Sequence, residues 1–220
     1  MTEKLTGQQV ADAGLDDWRQ LWARLCARFE TGDFATGLAL VNAIGAAAEA
    51  MDHHPDVDLR YGRVDVRLMS HDVQGLTVRD LRLASTISGL AADLGVTARP
   101  EALTFVEIGL DTPDLQQVRP FWKAVLGVED VEWGGEVAED LVDLGDAVPN
   151  LWFQGTEPHE EPRQRFHYDV HVPHDQAETR VQAAVAAGGT LVTDEFAPAF
   201  WVLADPQGNK ACICTWQARD

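Results

Sequence analysis

Three histidines stand in the segment HHPDVDLRYGRVDVRLMSHD, residues 53–72: His53 and His54 side by side, and His71 downstream. Imidazole titrates near neutrality, so rings that converge can give and take protons in one reaction. Metal binding is the competing use of such a cluster, and it needs three or more ligands in a set geometry. No cysteine lies in this segment, and Asp52 and Asp56 are neighbours only along the chain. The ordinary alternative is surface or capping histidines where a strand begins. Proton transfer therefore requires that the rings meet, which depends on the elements carrying them.

The stretch reads as a β-hairpin. Gly62-Arg63 fits a two-residue turn with glycine first, as type II′ prefers. That register sets Tyr61 against Val64, Leu59 against Val66 and Val57 against Leu68, all apolar. It also sets Arg60 against Asp65 and Asp58 against Arg67, both of opposite charge. Such cross-strand pairs stabilise a ladder by roughly 0.2–1 kcal/mol each. Continued away from the turn, the register brings His54 opposite His71. Pro55 cannot donate to a ladder, so pairing loosens there. His53 is expected near the pair but pointing to the other side of its strand.

The surrounding segments read as an α+β unit. A short helix is expected near residues 15–18. A strand follows with Leu21, Ala23, Leu25, Ala27 and Phe29 on alternate positions. Asp33 caps a helix whose Phe34, Leu38, Val41, Ile44, Ala48 and Met51 recur at helical spacing. After the hairpin, Thr77 and Asp80 form a capping box for a second helix, which Gly95 ends. The order strand, helix, strand, strand, helix has no parallel rhythm. It predicts an N-terminal antiparallel sheet with helices on one face. Gly95 and Pro100 mark a boundary, giving domains at 1–97 and 102–220 joined by a linker at 98–101.

The chain has 220 residues and a formal net charge of -19. That charge argues against nucleic acid and anionic membranes as partners, since both need basic patches. No run of about 18 apolar residues is evident, so no membrane span is expected. The polar start MTEKLTGQQVADAG lacks the apolar core of a secretory signal. Cys26, Cys212 and Cys214 form no disulfide framework. The expected location is cytoplasmic.

Residues 15–95 resemble the pterin-4a-carbinolamine dehydratase family. Glu49, His53, His54, Pro55, Tyr61, His71 and Asp80 fill that family's pattern, and SHDVQGLTVRDLRLA resembles its corresponding stretch. The resemblance implies a small α+β subunit, a homo-oligomer, and dehydration of a 4a-hydroxytetrahydropterin to quinonoid dihydropterin. No cofactor or metal is implied; the pterin is the substrate. His53, His54 and His71 would carry the acid–base work, with Asp80 orienting a histidine. Pro55, Tyr61 and Ser70 would contact the pterin. One departure is Val57, where the family usually has tryptophan. The alternative is a non-catalytic protein that binds a pterin or another small molecule.

The C-terminal part carries an internal duplication. LTFVEIGLDTPDLQQVRPFWKAVLGVE reads as strand, loop, helix and glycine turn, and RFHYDVHVPHDQAETRVQAAVAAGGTLV repeats that plan. With PFWKAVLG and LADPQGNKACIC, this duplicated βαβββ plan resembles the glyoxalase-like, vicinal-oxygen-chelate superfamily. The superfamily's metal positions fall at Phe105, Gln154, His167 and Cys212, a set too poor to close a metal site. The appended domain is thus expected to be metal-free. Trp133, Trp152, Phe153 and Trp201 would line a cavity or fill the core.

Overall fold

The computed structural model describes residues 3–133, 135–145, 148–158, 166–204 and 210–219. Two compact units emerge: Met1–Thr104 with Val172–Gln176 and Thr215–Asp220, and Phe105–His171 with Ala177–Cys214. The stretch read as a linker at 98–101 begins inside a strand of the first unit, since β5 (Thr97–Ala98) pairs with β2 (Arg24–Glu30).

The first unit is α+β, with helices α1 (Gly7–Ala11), α2 (Phe34–Met51) and α3 (Val78–Asp93). Its antiparallel sheet runs β1-β2-β4-β3, where β1 is Arg19–Leu21, β3 is Asp56–Arg60 and β4 is Arg63–Leu68. Inward residues of the sheet (Leu25, Ala27, Phe29, Val64, Val66 and Leu68) meet Leu40 and Ile44 of α2 and Leu83 and Ile87 of α3. Removing these side chains from water contributes the main drive to fold, about 1.5–3 kcal/mol for each large one.

Four local expectations are corrected. No helix forms at 15–18; the first helix is α1, opened by a Thr6–Gln9 capping box. The single early strand is instead a tight hairpin, β1 and β2, turning at Trp22-Ala23 with Trp22 at φ 54°. No glycine or asparagine announces that turn. On α2 the buried face is Gly37, Leu40, Ile44 and Ala48, whereas Phe34 and Leu38 are exposed. The helix is apolar on most sides, so periodicity could not orient it. It is in fact long and apolar enough to cross a membrane by length and composition. Here Leu40 and Ile44 are buried in the core instead.

The fourth correction is the hairpin register. Val57 pairs with Val66, Leu59 with Val64 and Asp56 with Arg67, so the turn is Tyr61-Gly62 and neither residue has a positive φ. The slip is two residues, an even number, so every side chain that stays in the ladder keeps its face, while Tyr61 passes from the ladder into the turn. Like charges then oppose one another, Asp58 to Asp65 and Arg60 to Arg63. Neighbours neutralise them. Arg60 Nε donates to Asp58 at 2.8 Å, and Arg28 of β2 forks onto Asp65 at 2.6 and 2.9 Å.

The second unit has the duplicated plan. Its main sheet runs β11-β12-β13-β10-β6-β9. Here β6 is Phe105–Thr112, β9 is Asn150–Gly155 and β10 is Phe166–His171. The remaining strands are β11 (Thr190–Thr193), β12 (Phe200–Ala204) and β13 (Lys210–Cys214), and β11 and β9 are the sheet's edges. β6 and β9 pair in parallel, as do β10 and β13, while β6 and β10 meet antiparallel at the centre. Helices α4 (Leu115–Leu126) and α5 (Ala177–Ala186) come after β6 and β10 in the chain. Short strands β7 (Glu132–Trp133) and β8 (Glu136–Val137) pair separately. Phe153 packs on a core of Leu110, Leu141 and Leu151, and Trp201 is buried. The Trp133 side chain lies outside the described residues.

Candidate functional site

The site is assembled where α2 ends and α3 begins. Asp52 terminates α2 in the left-handed conformation, φ 48°. The His53 N–H then returns to the Ala48 carbonyl at 3.1 Å. This six-to-one closure fixes the direction of the chain as it leaves the helix. It turns His53 inward and leaves His54 outward.

His53 is buried, and its Nε2 lies 2.8 Å from Asp80 Oδ1. Asp80 is fully buried in the first turn of α3. Its Oδ2 accepts from Ser70 Oγ at 2.7 Å, the Thr77 N–H at 2.8 Å and Thr77 Oγ1 at 3.2 Å. A carboxylate only accepts, so Nε2 must carry a proton. Asp80 therefore serves as capping box and histidine anchor together.

His54 is exposed, with Nε2 3.1 Å from Glu49 Oε1 one turn back on α2. His71 is exposed in the turn that follows Ser70. Ser70 closes that turn through a bridge to Gly75, and Asp72 pairs with Arg79 of α3. The Arg79 guanidinium, first by its hydrogen bond, holds the Asp72 carboxyl below its ordinary range.

The expected facing of His54 and His71 is replaced by a different convergence. Continuing the observed register sets His53 against Ser70, and Asp80 binds both. His54 and His71 each stand one residue from this network. Pro55 is half-buried beside them. Tyr61 is not part of the cluster. It sits at the turn end, 76% exposed, with the whole of β3 between it and His54. At about 3.3 Å per residue that separation approaches 20 Å. Val57 faces the interior, packed against the core. Thr77, Arg79 and Glu49 enter the arrangement by contact. Glu49 is signalled by its place in the sequence pattern, and Thr77 by the capping box.

In the second unit the four positions implied by resemblance do not converge as a set. Phe105 is an aromatic neighbour of His171 and Gln154 is exposed. His167 and Cys212 do approach, joined by Asp169.

Comparison with known proteins gives two matches along the chain. Residues 3–90 match the family model described as pterin 4 alpha carbinolamine dehydratase, and residues 107–214 match a glyoxalase-like domain. A relative from Thermosynechococcus vestitus is 40% identical over 41% of this chain and 98% of its own length. One from Nocardia farcinica is 38% identical over 41% of this chain and 97% of its own. Both carry the name "Putative pterin-4-alpha-carbinolamine dehydratase". A solved structure described as a transcriptional coactivator/pterin dehydratase, from Brucella melitensis, shares 30% identity. It covers 40% of this chain and 99% of its own, with a TM-score of 0.39.

Proposed function

The chain belongs, through residues 3–90, to the pterin 4 alpha carbinolamine dehydratase family, and from that premise we propose that it dehydrates a 4a-hydroxytetrahydropterin. The reaction breaks the C4a–O bond and removes a proton from a ring nitrogen. It yields quinonoid dihydropterin and water. Hydroxide is a poor leaving group, so one imidazolium protonates the departing oxygen while another imidazole takes the ring proton. Each such transfer is worth about 10²–10⁴-fold. His54 and His71 are the exposed rings that could reach a bicyclic substrate, and Asp80 holds His53 in one tautomer beside them. Ser70 supports Asp80, and its proposed role is to brace the site; Pro55 borders the same end of the hairpin. Tyr61 would contribute only from another subunit.

The observation that carries this reading is the buried His53–Asp80–Ser70 network with two solvent-facing histidines next to it. The proton work falls to the chain's own imidazoles, and no cofactor is needed for it. We place the protein in the cytoplasm as a homo-oligomer. The test is dehydration of 4a-hydroxytetrahydropterin by the whole chain. Turnover above the spontaneous rate is expected. A rate equal to the spontaneous one would remove the reading.

A second reading is a binder without chemistry. It is favoured by Val57, a small aliphatic turned to the core where the family usually has an indole. Calorimetry with reduced and oxidised pterins separates the two. Saturable binding without turnover supports the binder.

A further inference from the structure

We propose that the first unit holds a second small-molecule site, a pocket walled by Trp18, Trp216 and His174 that takes an uncharged heteroaromatic ring bearing N–H donors. It shares no residue with the histidine network and is independent of the dehydratase reading.

Stretches far apart in sequence build the cavity: residues from 7–25, then His174 and Asp175, then Trp216. All belong to the first unit. Arg19 of β1 clasps Asp175 through two hydrogen bonds, at 2.7 and 3.2 Å. The Trp216 indole lies against the start of α1, where a Cβ on Gly7 would come within 2.6 Å of Trp216 Cε3. His174 meets the Trp216 ring edge-on at 5.4 Å. Trp18 is buried edge-on to Phe29, and its indole N–H is spent on Ser88 Oγ at 3.0 Å. The walls are thus aromatic and held in place, which suits a flat ring. The cavity measures about 220 Å³, and exposed Gly14, Asp16 and Asp175 border it, so it opens to water. Pockets for drug-sized ligands start at about 300 Å³. This one suits a single ring or two fused rings.

Unmatched polar atoms in the walls specify the guest. Gln20 and His174 both line the cavity, and the buried Gln20 Oε1 and His174 Nδ1 have no hydrogen-bond partner among the described residues. Gln20 Nε2 donates to the Trp22 carbonyl at 3.2 Å. That bond fixes which end of the amide is nitrogen, so the unmatched end is an acceptor. Burial, against the pull of Asp175, holds the His174 ring below its ordinary pKa. The ring is therefore neutral near neutral pH, and Nδ1 can donate or accept according to its tautomer. An N–H of the guest answers Gln20, and a second ring atom or amino group answers His174. Buried polar atoms left unmatched are costly, and a guest removes that cost. Charge selects against ions. An anion finds no free guanidinium, since Asp175 already holds Arg19, and a cation meets Arg19 at the wall.

The test is calorimetric titration of the full chain near neutral pH with adenine, cytosine and benzimidazole, each uncharged there. Choline and benzoate are the charged comparators. At least one of the three rings should bind one-to-one and saturably, and neither ion should. His174→Phe keeps the aromatic wall and removes Nδ1; Gln20→Met keeps the length and removes Oε1. Each should weaken binding about three- to tenfold. His174→Phe should not lower the melting temperature, because the atom it removes has no partner to lose. His54→Ala and His71→Ala should leave the affinity unchanged, which separates this pocket from the proposed pterin site. If one wall variant does not fold, the other decides. Saturable binding of none of the rings, binding that survives both wall variants, binding lost in His54→Ala or His71→Ala, or binding of choline or benzoate instead would overturn the site.

Discussion

His53 Nε2 and Asp80 Oδ1 are 2.8 Å apart across 27 residues of sequence, and both side chains are buried. This bond ties the end of α2 to the start of α3. Asp80→Ala would leave His53, Ser70 and the Thr77 N–H without their acceptor. Ser70 Oγ keeps Thr77 Oγ1 at 2.9 Å, which leaves two orphaned buried donors at about 1–3 kcal/mol each, so a loss of about 2–6 kcal/mol is expected in urea unfolding. A change below about 1 kcal/mol would mean the network is not formed in solution.

His54→Ala and His71→Ala should each show the reverse of the Asp80→Ala pattern, with activity lost and stability kept. Both side chains are exposed, so stability should move by less than about 0.5 kcal/mol. Dehydratase turnover should fall about 10²–10⁴-fold in each. Steady-state rates read beside melting curves check this. Full activity in both variants would sink their catalytic assignment.

Arg28 and Asp65 give a signed pH effect. Burial pushes the Asp65 carboxyl up, but the Arg28 hydrogen bonds and charge outweigh it and the net direction is down. A carboxyl depressed in the folded state stabilises fully above its unfolded value, about 3.9, and loses that contribution as pH falls through its folded value. Arg28 is 26% exposed and Arg63 also reaches Asp65 at 3.3 Å. Arg28→Met should therefore cost about 2–3 kcal/mol at pH 7, at the low side of a broken buried pair. Without the guanidinium the Asp65 carboxyl rises, so the deficit should shrink below about pH 4. Equal deficits in denaturant melts at pH 7 and pH 3.5 would refute the account.

Gly37 of α2 packs closely against the hairpin. A Cβ there would lie 2.6 Å from Leu59 Cδ1 and 3.2 Å from Thr31 Oγ1. Gly37→Ala gains helix propensity of about 1 kcal/mol but forces Leu59 to move. Net destabilisation of about 1–2 kcal/mol is expected, and Gly37→Ala with Leu59→Val should recover part of it. A stabilised single variant, read by thermal unfolding, would show that Leu59 yields freely.

By itself the sequence determined the α+β class, the duplicated second unit, the Asp33 and Thr77 caps, and the inward face of the hairpin apart from Tyr61, which lies exposed in the turn. These depend on local chemistry and on periods of two residues, and the inward set survives an even slip. It also marked His53, His54, His71 and Asp80 as candidates. Only the tertiary structure decided the register, because Arg28 from a third strand neutralises Asp65 and makes a like-charge pairing tolerable. It alone chose the buried face of α2, where apolar residues lie on most sides. It alone turned His53 inward to Asp80, since that direction is fixed by a left-handed residue at Asp52 and a partner on another helix. The same holds for Asp169 beside Cys212: pairing between distant strands creates such neighbours, and no spacing along one chain segment encodes them.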